Sequence, residues 1–359
     1  MRITKAESWV ERLELTRPYT IAFASFTHIE LLFVRLETDE GLVGAGSGTP
    51  VRAITLETLE GAVEILAEKL EPLLVGRDAR QLGGLLGTLR EELPANPAAR
   101  ASVDMALHDL FAKKLGLPLV EVLGRAHESL PTSITIGIKD TVEEAVEEAL
   151  EYQGRGFRIL KIKAGSNLEQ DLEVVAKVRE AVGQEMGIRV DANQGYSLED
   201  TERYFQAGKR LGIEFVEQPL PGEAASSMLG LPEEIRLRSA ADESLHSPAQ
   251  ALALAAPPQP FGIYNIKLMK CGGVGPALSI AEIARLACID LMWGCMDESV
   301  IGIAAALHAA LACPATRYLD LDGSLDLARD LATGGFVLEN GFLRTTQAPG
   351  LGVTLEERT

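Results

Sequence analysis

Apolar and polar residues alternate along the opening of the chain, in runs such as residues 31–37, break at Asp39-Glu40-Gly41, and resume briefly to about Gly46. A period of two marks strands with one buried face, so this segment predicts a β-meander. The period then lengthens to that of amphipathic helices over residues 55–70 and 98–115, the second closed by Gly116 with Pro118 just beyond. Residues 1–125 therefore predict an α+β unit. Past Pro131, β-rich runs recur with helical segments between them, at 133–138, 159–164, 188–193, 213–219, 238–244, 262–269, 291–296 and 317–322. An interval of roughly 25 residues accommodates one strand and one crossover helix, and eight such units close into a barrel. The expected fold is α/β, a modified (β/α)8 barrel over residues 126–322. The segment 323–359, punctuated by Gly334-Gly335, Asn340-Gly341 and Pro349-Gly350, is too strand-like for a barrel helix and is expected to return to the first domain.

Composition narrows the functional classes. At 359 residues with 47% hydrophobic and 24% charged residues the chain suits a globular protein of two domains. A formal net charge of −18 opposes nucleic acid and anionic membranes as partners. The cysteines Cys271, Cys288, Cys295 and Cys313 show no CxxC pairing and are expected to be reduced. Residues 1–10 contain no uninterrupted apolar run of the kind a signal peptide needs, which implies a cytoplasmic protein. The apolar run 300–313 is too short to span a bilayer and carries His308, so a buried helix is expected there. Gly44-Ala45-Gly46-Ser47-Gly48 superficially resembles a dinucleotide loop, but it lacks the full spacing and follows a hairpin strand. His108 and His308 lie on apolar helices and read as core residues.

Barrel enzymes carry their sites at the C-terminal ends of the strands. Asp191, Glu217 and Asp242 close three consecutive runs, 26 and then 25 residues apart, and are expected to converge. Hard oxygen ligands of this kind suit Mg²⁺. Lys163 ends the second run and Lys267 sits on the sixth, four positions away around the barrel and hence across its mouth. Two bases on opposite faces of one carbon are what inversion requires, with the metal stabilising the enediolate formed between the proton transfers. Lysine serves as a base only when its pKa falls toward about 7–8, a shift that burial beside a cation favours. Lys161, two residues before Lys163, shares its face and is placed to hold a bound carboxylate. Asn193 and Asn265 stand beside these groups as supporting residues.

Lys161-Ile162-Lys163, Asp191-Ala192-Asn193, Glu217-Gln218-Pro219, Ala241-Asp242-Glu243-Ser244 and Asn265-Ile266-Lys267-Leu268-Met269-Lys270 followed by Gly-Gly together resemble the muconate-cycloisomerase subgroup of the enolase superfamily. The resemblance covers essentially the whole chain. It implies that residues 1–125 and the tail form an α+β capping domain over the barrel mouth. Within the subgroup, Asp320-Leu321-Asp322-Gly323 is similar to the motif of the dipeptide epimerases, whose two aspartates bind the substrate ammonium. An extended dipeptide spans roughly 7 Å, so it bridges metal and aspartates better than a free amino acid. The C-terminal residue's α-carbon would then be the one inverted.

Members of that family acting on Ala-Glu carry an arginine where this chain has Ala24, which argues against Ala-Glu. Phe23, Ala24, Ser25 and Phe26 make the loop apolar and favour an apolar side chain, whereas Asp297 favours a cationic one. Thr135 is a further candidate for the pocket wall. The expected partner is a dipeptide, and a homo-oligomer is left open. Rival readings are another reaction of the subgroup (N-acylamino acid racemisation, o-succinylbenzoate synthesis, cycloisomerisation), a Schiff-base lyase, and a metal-dependent dipeptide-binding protein without turnover. Asp320 and Asp322 separate the first of these, because those substrates need no ammonium clamp.

Overall fold

The computed structural model describes residues 1–21 and 24–356, the side chains of 18–26 excepted. The opening alternation forms an antiparallel sheet of Ile3–Ile21, Ala24–Thr38 and Val43–Gly48, in that order. One face, with Leu32, Val34 and Leu36, packs on Leu66, Leu70 and Leu74 of the helix Leu59–Leu74 and on Val103, Leu107 and Leu110 of the helix Pro97–Leu115. Leu31 and Phe33 on the opposite face join the core that runs into the barrel. The helix Leu59–Leu74 starts later than the periodicity predicts, because Thr58 caps it by accepting from the Gly61 N–H at 3.1 Å. Before it stands a separate turn, Arg52–Thr55, which ends at Leu56 in the left-handed region (φ 65°). A further helix, Leu82–Glu92, was not expected: Gly83, Gly84 and Gly87 dilute its pattern, and the packing of Leu85 and Leu89 stabilises it instead.

All eight expected barrel strands are present, as Ile134–Ile136, Ile159–Lys163, Gly187–Asp191, Ile213–Glu217, Ser239–Ala241, Ile263–Ile266, Asp290–Gly294 and Thr316–Asp320. Neighbours pair in parallel and in chain order. The eighth strand returns to the first through the Ser133 N–H, which donates to the Leu319 carbonyl at 3.0 Å. The sixth strand is shorter than expected: it stops at Ile266, and Lys267 is the N-cap of the one-turn helix Leu268–Cys271. The run after residue 300 forms the buried helix Val300–Ala312. Its His308 accepts from the Val120 N–H (2.9 Å) and faces the Leu351 carbonyl (3.3 Å), while His108 Nδ1 lies 2.8 Å from the Asp104 carbonyl, so both histidines are hydrogen-bonded core residues. Among the described residues no helix is long and apolar enough to cross a membrane.

The helix Pro97–Leu115 ties the capping region to the rest of the chain. Its Asp104 accepts from the N–H groups of Val274 (2.7 Å) and Gly275 (3.3 Å), at the start of the barrel helix Val274–Leu286. The buried Asp109 accepts from Ala45 N (3.0 Å) and Leu351 N (2.8 Å), and pairs with Lys113 at 2.7 Å. In the tail, Ala332–Gly334 pairs with Val353–Leu355, and Phe342–Thr345 lies between Phe336–Glu339 and Leu130–Pro131. Leu327 bridges to Leu15 of the first strand.

The glycine-rich run is explained by this packing. Cβ atoms added at Gly44, Gly46 and Gly48 would meet the backbone oxygens of Ala106, Ser102 and Ala98 at 2.3, 1.7 and 2.7 Å. Alternate strand positions thus lie against successive turns of one helix face, at a separation that admits no side chain. Gly46→Ala is therefore expected to lower stability by about 1–3 kcal/mol through overpacking, measured by denaturant unfolding. Wild-type stability in that variant would mean that the contact relaxes freely.

Candidate active site

The second barrel strand points two lysines into the mouth, and the third and fourth strands set carboxylates beside them. Lys161 is 3% exposed. Its ammonium lies 2.7 Å from Asp320 Oδ2, 2.8 Å from Glu217 Oε2 and 3.1 Å from Asp191 Oδ2. Lys163 reaches Asp191 Oδ2 at 2.7 Å from the same strand, and Lys267 reaches Asp242 Oδ2 at 2.6 Å from the far side. Lys270, one helical turn beyond Lys267, binds the other Asp242 oxygen and donates to the Asp242 carbonyl (2.6 Å). Asn265 donates to Glu217 Oε1 at 2.6 Å, and the Asn193 N–H donates to Asp191 Oδ1 at 3.0 Å. Gln218 bridges adjacent strand ends, its Oε1 accepting from the N–H groups of Asp242 (2.9 Å) and Ser244 (3.2 Å).

The loops that hold these groups are strained. Gln194 and Gln218 adopt φ of 69° and 36°, in the left-handed region rarely used by glutamine, and Asn193, of a type that enters it more readily, adopts 42°. At Gly165, φ is 98° and an added Cβ would lie 2.0 Å from the Ala192 oxygen, so the loop after Lys163 seats directly on the loop after Asp191 only because residue 165 is glycine.

Burial pushes the Glu217 carboxyl up to about 8, with repulsion from Asp191 adding to it and Lys161 opposing it. Burial acts in the same sense on Asp191 and Asp242. Lys163 and Lys161 nonetheless hold Asp191 below its ordinary range, and Lys267 and Lys270 do so for Asp242. The effect on Lys267 runs against expectation. Burial lowers its pKa, yet Asp242 and Glu217 together hold the ammonium above the ordinary lysine value.

Among the described residues no three acidic, histidine or cysteine side chains form a ready-made metal cage, because ammonium groups occupy the oxygens that would face the ion. The residues still suit a hard divalent cation. Glu217 Oε2 lies close to Lys161 but without hydrogen-bond alignment, and the buried oxygens Asn193 Oδ1 and Glu243 Oε2 accept no hydrogen bond. Burial, with repulsion from Asp242 next, raises Glu243 to about 7.

Across the mouth, Asp320 is 3% exposed; it accepts from Ser133 Oγ (2.7 Å) and pairs with Lys161. Ser133 in turn lies 3.4 Å from Arg189 Nη1, which donates to the Leu319 carbonyl at 2.7 Å and packs between Phe215 and Tyr318. Asp322 Oδ2 accepts from the Thr135 N–H at 2.7 Å, and burial followed by Asp320 and Asp326 raises it to about 7. One cavity joins these groups, lined by Thr135, Lys161, Lys163, Asn193, Asp242, Lys267, Asp297, Asp320 and Asp322 among others. Asp191 and Glu217 sit behind that wall in contact with Lys161, and Asn265 sits there in contact with Glu217. Ala24 and Phe26 have side chains outside the described residues, as does the whole of Phe23.

Sequence reasoning missed several cavity residues. Glu148, Tyr152 and Asp326 join Asp297 on an acidic side of the cavity, with Ile29, Val51, Ile54 and Met296 as apolar wall. Tyr152 donates to Glu148 at 2.8 Å, and Lys139 pairs with Glu148 at 2.5 Å. Lys270 had a visible signal, the Lys-Leu-Met-Lys run, which reads as two lysines on one face only once a helical turn begins at Leu268. Glu148 and Tyr152 come from a barrel helix, Ile29 from a capping strand, and the rest from loops and a short turn, where spacing carries no such signal.

Residues 5–124 match the N-terminal domain of the mandelate racemase / muconate lactonizing enzyme family, and residues 142–359 match the enolase C-terminal domain-like family. The chain belongs to the enolase superfamily. An L-Lys-D/L-Arg epimerase of Methylococcus capsulatus is 56% identical over 353 residues, 98% of this chain and 99% of that one. An enzyme of the same description from Desulforapulum autotrophicum is 54% identical, with 98% of this chain and 99% of that one covered. A crystal structure of a dipeptide epimerase from Methylococcus capsulatus, complexed with Mg and L-Arg-D-Lys, superposes with a TM-score of 0.97 at 56% identity and covers 98% of this chain and 99% of that one.

Lys161 is buried and pairs with three carboxylates, more than any other lysine of this superfamily site. Lys161→Met leaves Asp191, Glu217 and Asp320 without their common cation and is expected to lower the stability of metal-free protein by about 3–5 kcal/mol. Urea unfolding in EDTA reads this directly. A change below about 1 kcal/mol would show that the carboxylates are satisfied by other means.

Proposed function

We propose that this chain is an isomerase that epimerises dipeptides with cationic side chains, inverting the α-carbon of the C-terminal residue. The observation that carries this reading is the pair Lys163 and Lys267, which approach one cavity from opposite sides of a carboxylate cluster, with Asp322 across the mouth. The relatives of more than half identity are epimerases of Lys- and Arg-containing dipeptides, which supports both the reaction class and the side-chain preference.

In this reading Asp191, Glu217 and Asp242 hold Mg²⁺. Held by these residues, the ion would supply positive charge to the substrate's C-terminal carboxylate and so acidify the adjacent α-hydrogen. Lys161 contributes a second positive charge to the same carboxylate. Lys267 would act as a base from its neutral form, which burial favours and Asp242 and Glu217 oppose. One of Lys163 and Lys267 removes the α-proton, and the other returns a proton to the opposite face. Asp322 and Asp320 accept hydrogen bonds from the dipeptide ammonium, and Thr135 holds Asp322 in place through its backbone N–H.

The acidic side of the cavity sets the preference. Asp297 and Asp326 attract cationic side-chain heads, while Ile29, Val51, Ile54 and Met296 cover the aliphatic stems of lysine and arginine. An acidic substrate side chain would meet the same carboxylates unpaired, which extends the argument made from Ala24 against Ala-Glu.

The test is incubation of the Mg²⁺-loaded protein with pooled L,L-dipeptides in D₂O. Deuterium should enter the C-terminal α-carbon of Lys- and Arg-containing dipeptides as the epimer appears, and Lys163→Ala and Lys267→Ala should each abolish epimerisation. Absence of exchange with every dipeptide, in folded and metal-loaded protein, would return the reading to N-acylamino acids and cycloisomerase substrates. Asp297→Asn is expected to lower kcat/KM for cationic dipeptides by about 10-fold or more while sparing neutral ones. Equal losses on both classes would remove Asp297 from side-chain recognition.

A further inference from the structure

Residues 49–57 cross from the capping sheet to its first long helix and form part of the cavity wall through Thr49, Val51 and Ile54. The segment is internally rigid. Thr55 Oγ1 donates to the Val51 carbonyl (3.1 Å) and accepts from the Val51 N–H (3.0 Å), and the N–H groups of Ile54 and Thr55 donate to the same carbonyl at 2.8 and 2.7 Å. The far end is anchored by Glu57, 5% exposed, which accepts from the Ala98 N–H at the start of the capping helix. A small preformed turn therefore sits over the mouth, with Val51 and Ile54 toward the cavity and Leu56 69% exposed.

Side chains hold this turn to the barrel at two points, one on each side. Thr49 Oγ1 donates to the Asp297 carbonyl at 3.1 Å, past the seventh strand. On the other side His246 Nε2 lies 2.9 Å from the Ile54 carbonyl, so the ring donates there across 192 residues of sequence. The His246 backbone is itself fixed, its N–H donating to Gln250 Oε1 at 2.7 Å, at the start of the helix Pro248–Leu254. His246 thus comes from the loop that carries Asp242 and Glu243 and reaches the capping turn rather than the reacting groups.

We infer that His246 is a positioning residue, which together with Thr49 pins the capping turn and thereby sets the apolar wall that Val51 and Ile54 present to substrate. The inference rests on reading this cavity as the active site. Losing the pin frees one side of the turn, so the wall is no longer preformed and substrate binding has to order it.

Two measurements on the full chain test this. Hydrogen exchange of the amides of residues 51–57, with and without Mg²⁺, is expected to speed up at least tenfold in His246→Ala while barrel-strand amides keep their wild-type rates. His246→Gln, whose side-chain amide can donate to the same carbonyl, is expected to restore most of the protection. In steady-state epimerisation of L-Arg-L-Lys, His246→Ala should raise KM about tenfold with kcat within threefold of wild type, and Gln should again recover most of it. Thr49→Val releases the other pin and should have the same double signature, which keeps the inference testable should His246→Ala fail to fold. Unchanged exchange at 51–57 overturns the inference whatever the substrate, as does accelerated exchange with an unchanged KM. A fall in kcat that Gln does not rescue overturns it too, by assigning His246 to the Asp242 loop. If the wild type turns over no dipeptide, the reading of the reaction fails, and exchange alone decides the role of His246.

Discussion

The site depends on one buried ammonium. Lys161 is shared by Asp191, Glu217 and Asp320, carboxylates contributed by the third, fourth and eighth strands. Isolated charges in such a place cost several kcal/mol each, and mutual pairing is what makes them tolerable. The acids Asp191, Glu217, Asp242, Glu243, Asp320 and Asp322 outnumber Lys161, Lys163, Lys267 and Lys270, and burial, with repulsion from a neighbouring carboxylate next, raises Glu217, Glu243 and Asp322. A site left with unneutralised negative charge at its rim is one into which cations, metallic or organic, are drawn. Such an excess suits the proposed roles of Asp191, Glu217 and Asp242 toward a metal ion and of Asp322 toward a substrate ammonium.

Much of this was legible in the sequence because a barrel turns spacing into geometry. One strand and one helix per repeat fix where Asp191, Glu217 and Asp242 fall, and a two-residue step fixes that Lys161 and Lys163 share a face. The sixth strand shows the limit. Read as extended to residue 269 it hides Lys270, whereas a helical turn beginning at Leu268 returns that lysine to Asp242. Asp320 was expected as an ammonium ligand, and it lies on the cavity wall, but its strongest partners here are Lys161 and Ser133. Glu148, Asp326 and His246 were not legible at all, because their approach depends on how helices and loops far apart in sequence pack. The helix Leu82–Glu92 was hidden for a related reason, since tertiary contacts rather than local preference stabilise its glycine-rich sequence.

The glycine run was a misleading local signal with a structural origin. Glycines at alternate positions let a strand lie against a helix backbone, and a short polar loop rich in glycine looks similar when read alone. What separates the two is the element on either side. Here a strand precedes and a capping turn follows, which is the turn that closes over the barrel.

Asp109 carries a consequence for how the protein is made. Its buried carboxylate is completed by the N–H of Leu351, 242 residues later in the chain. Until that residue has been synthesised and docked, Ala45 and Lys113 serve one oxygen of the carboxylate, while the other, which accepts from Leu351, is left to water, and that face of the central capping helix cannot close. The N-terminal region therefore cannot reach its final packing early on the ribosome. It waits for almost the whole barrel to follow, a high-contact-order route in which an early segment stays exposed to misassembly for most of translation.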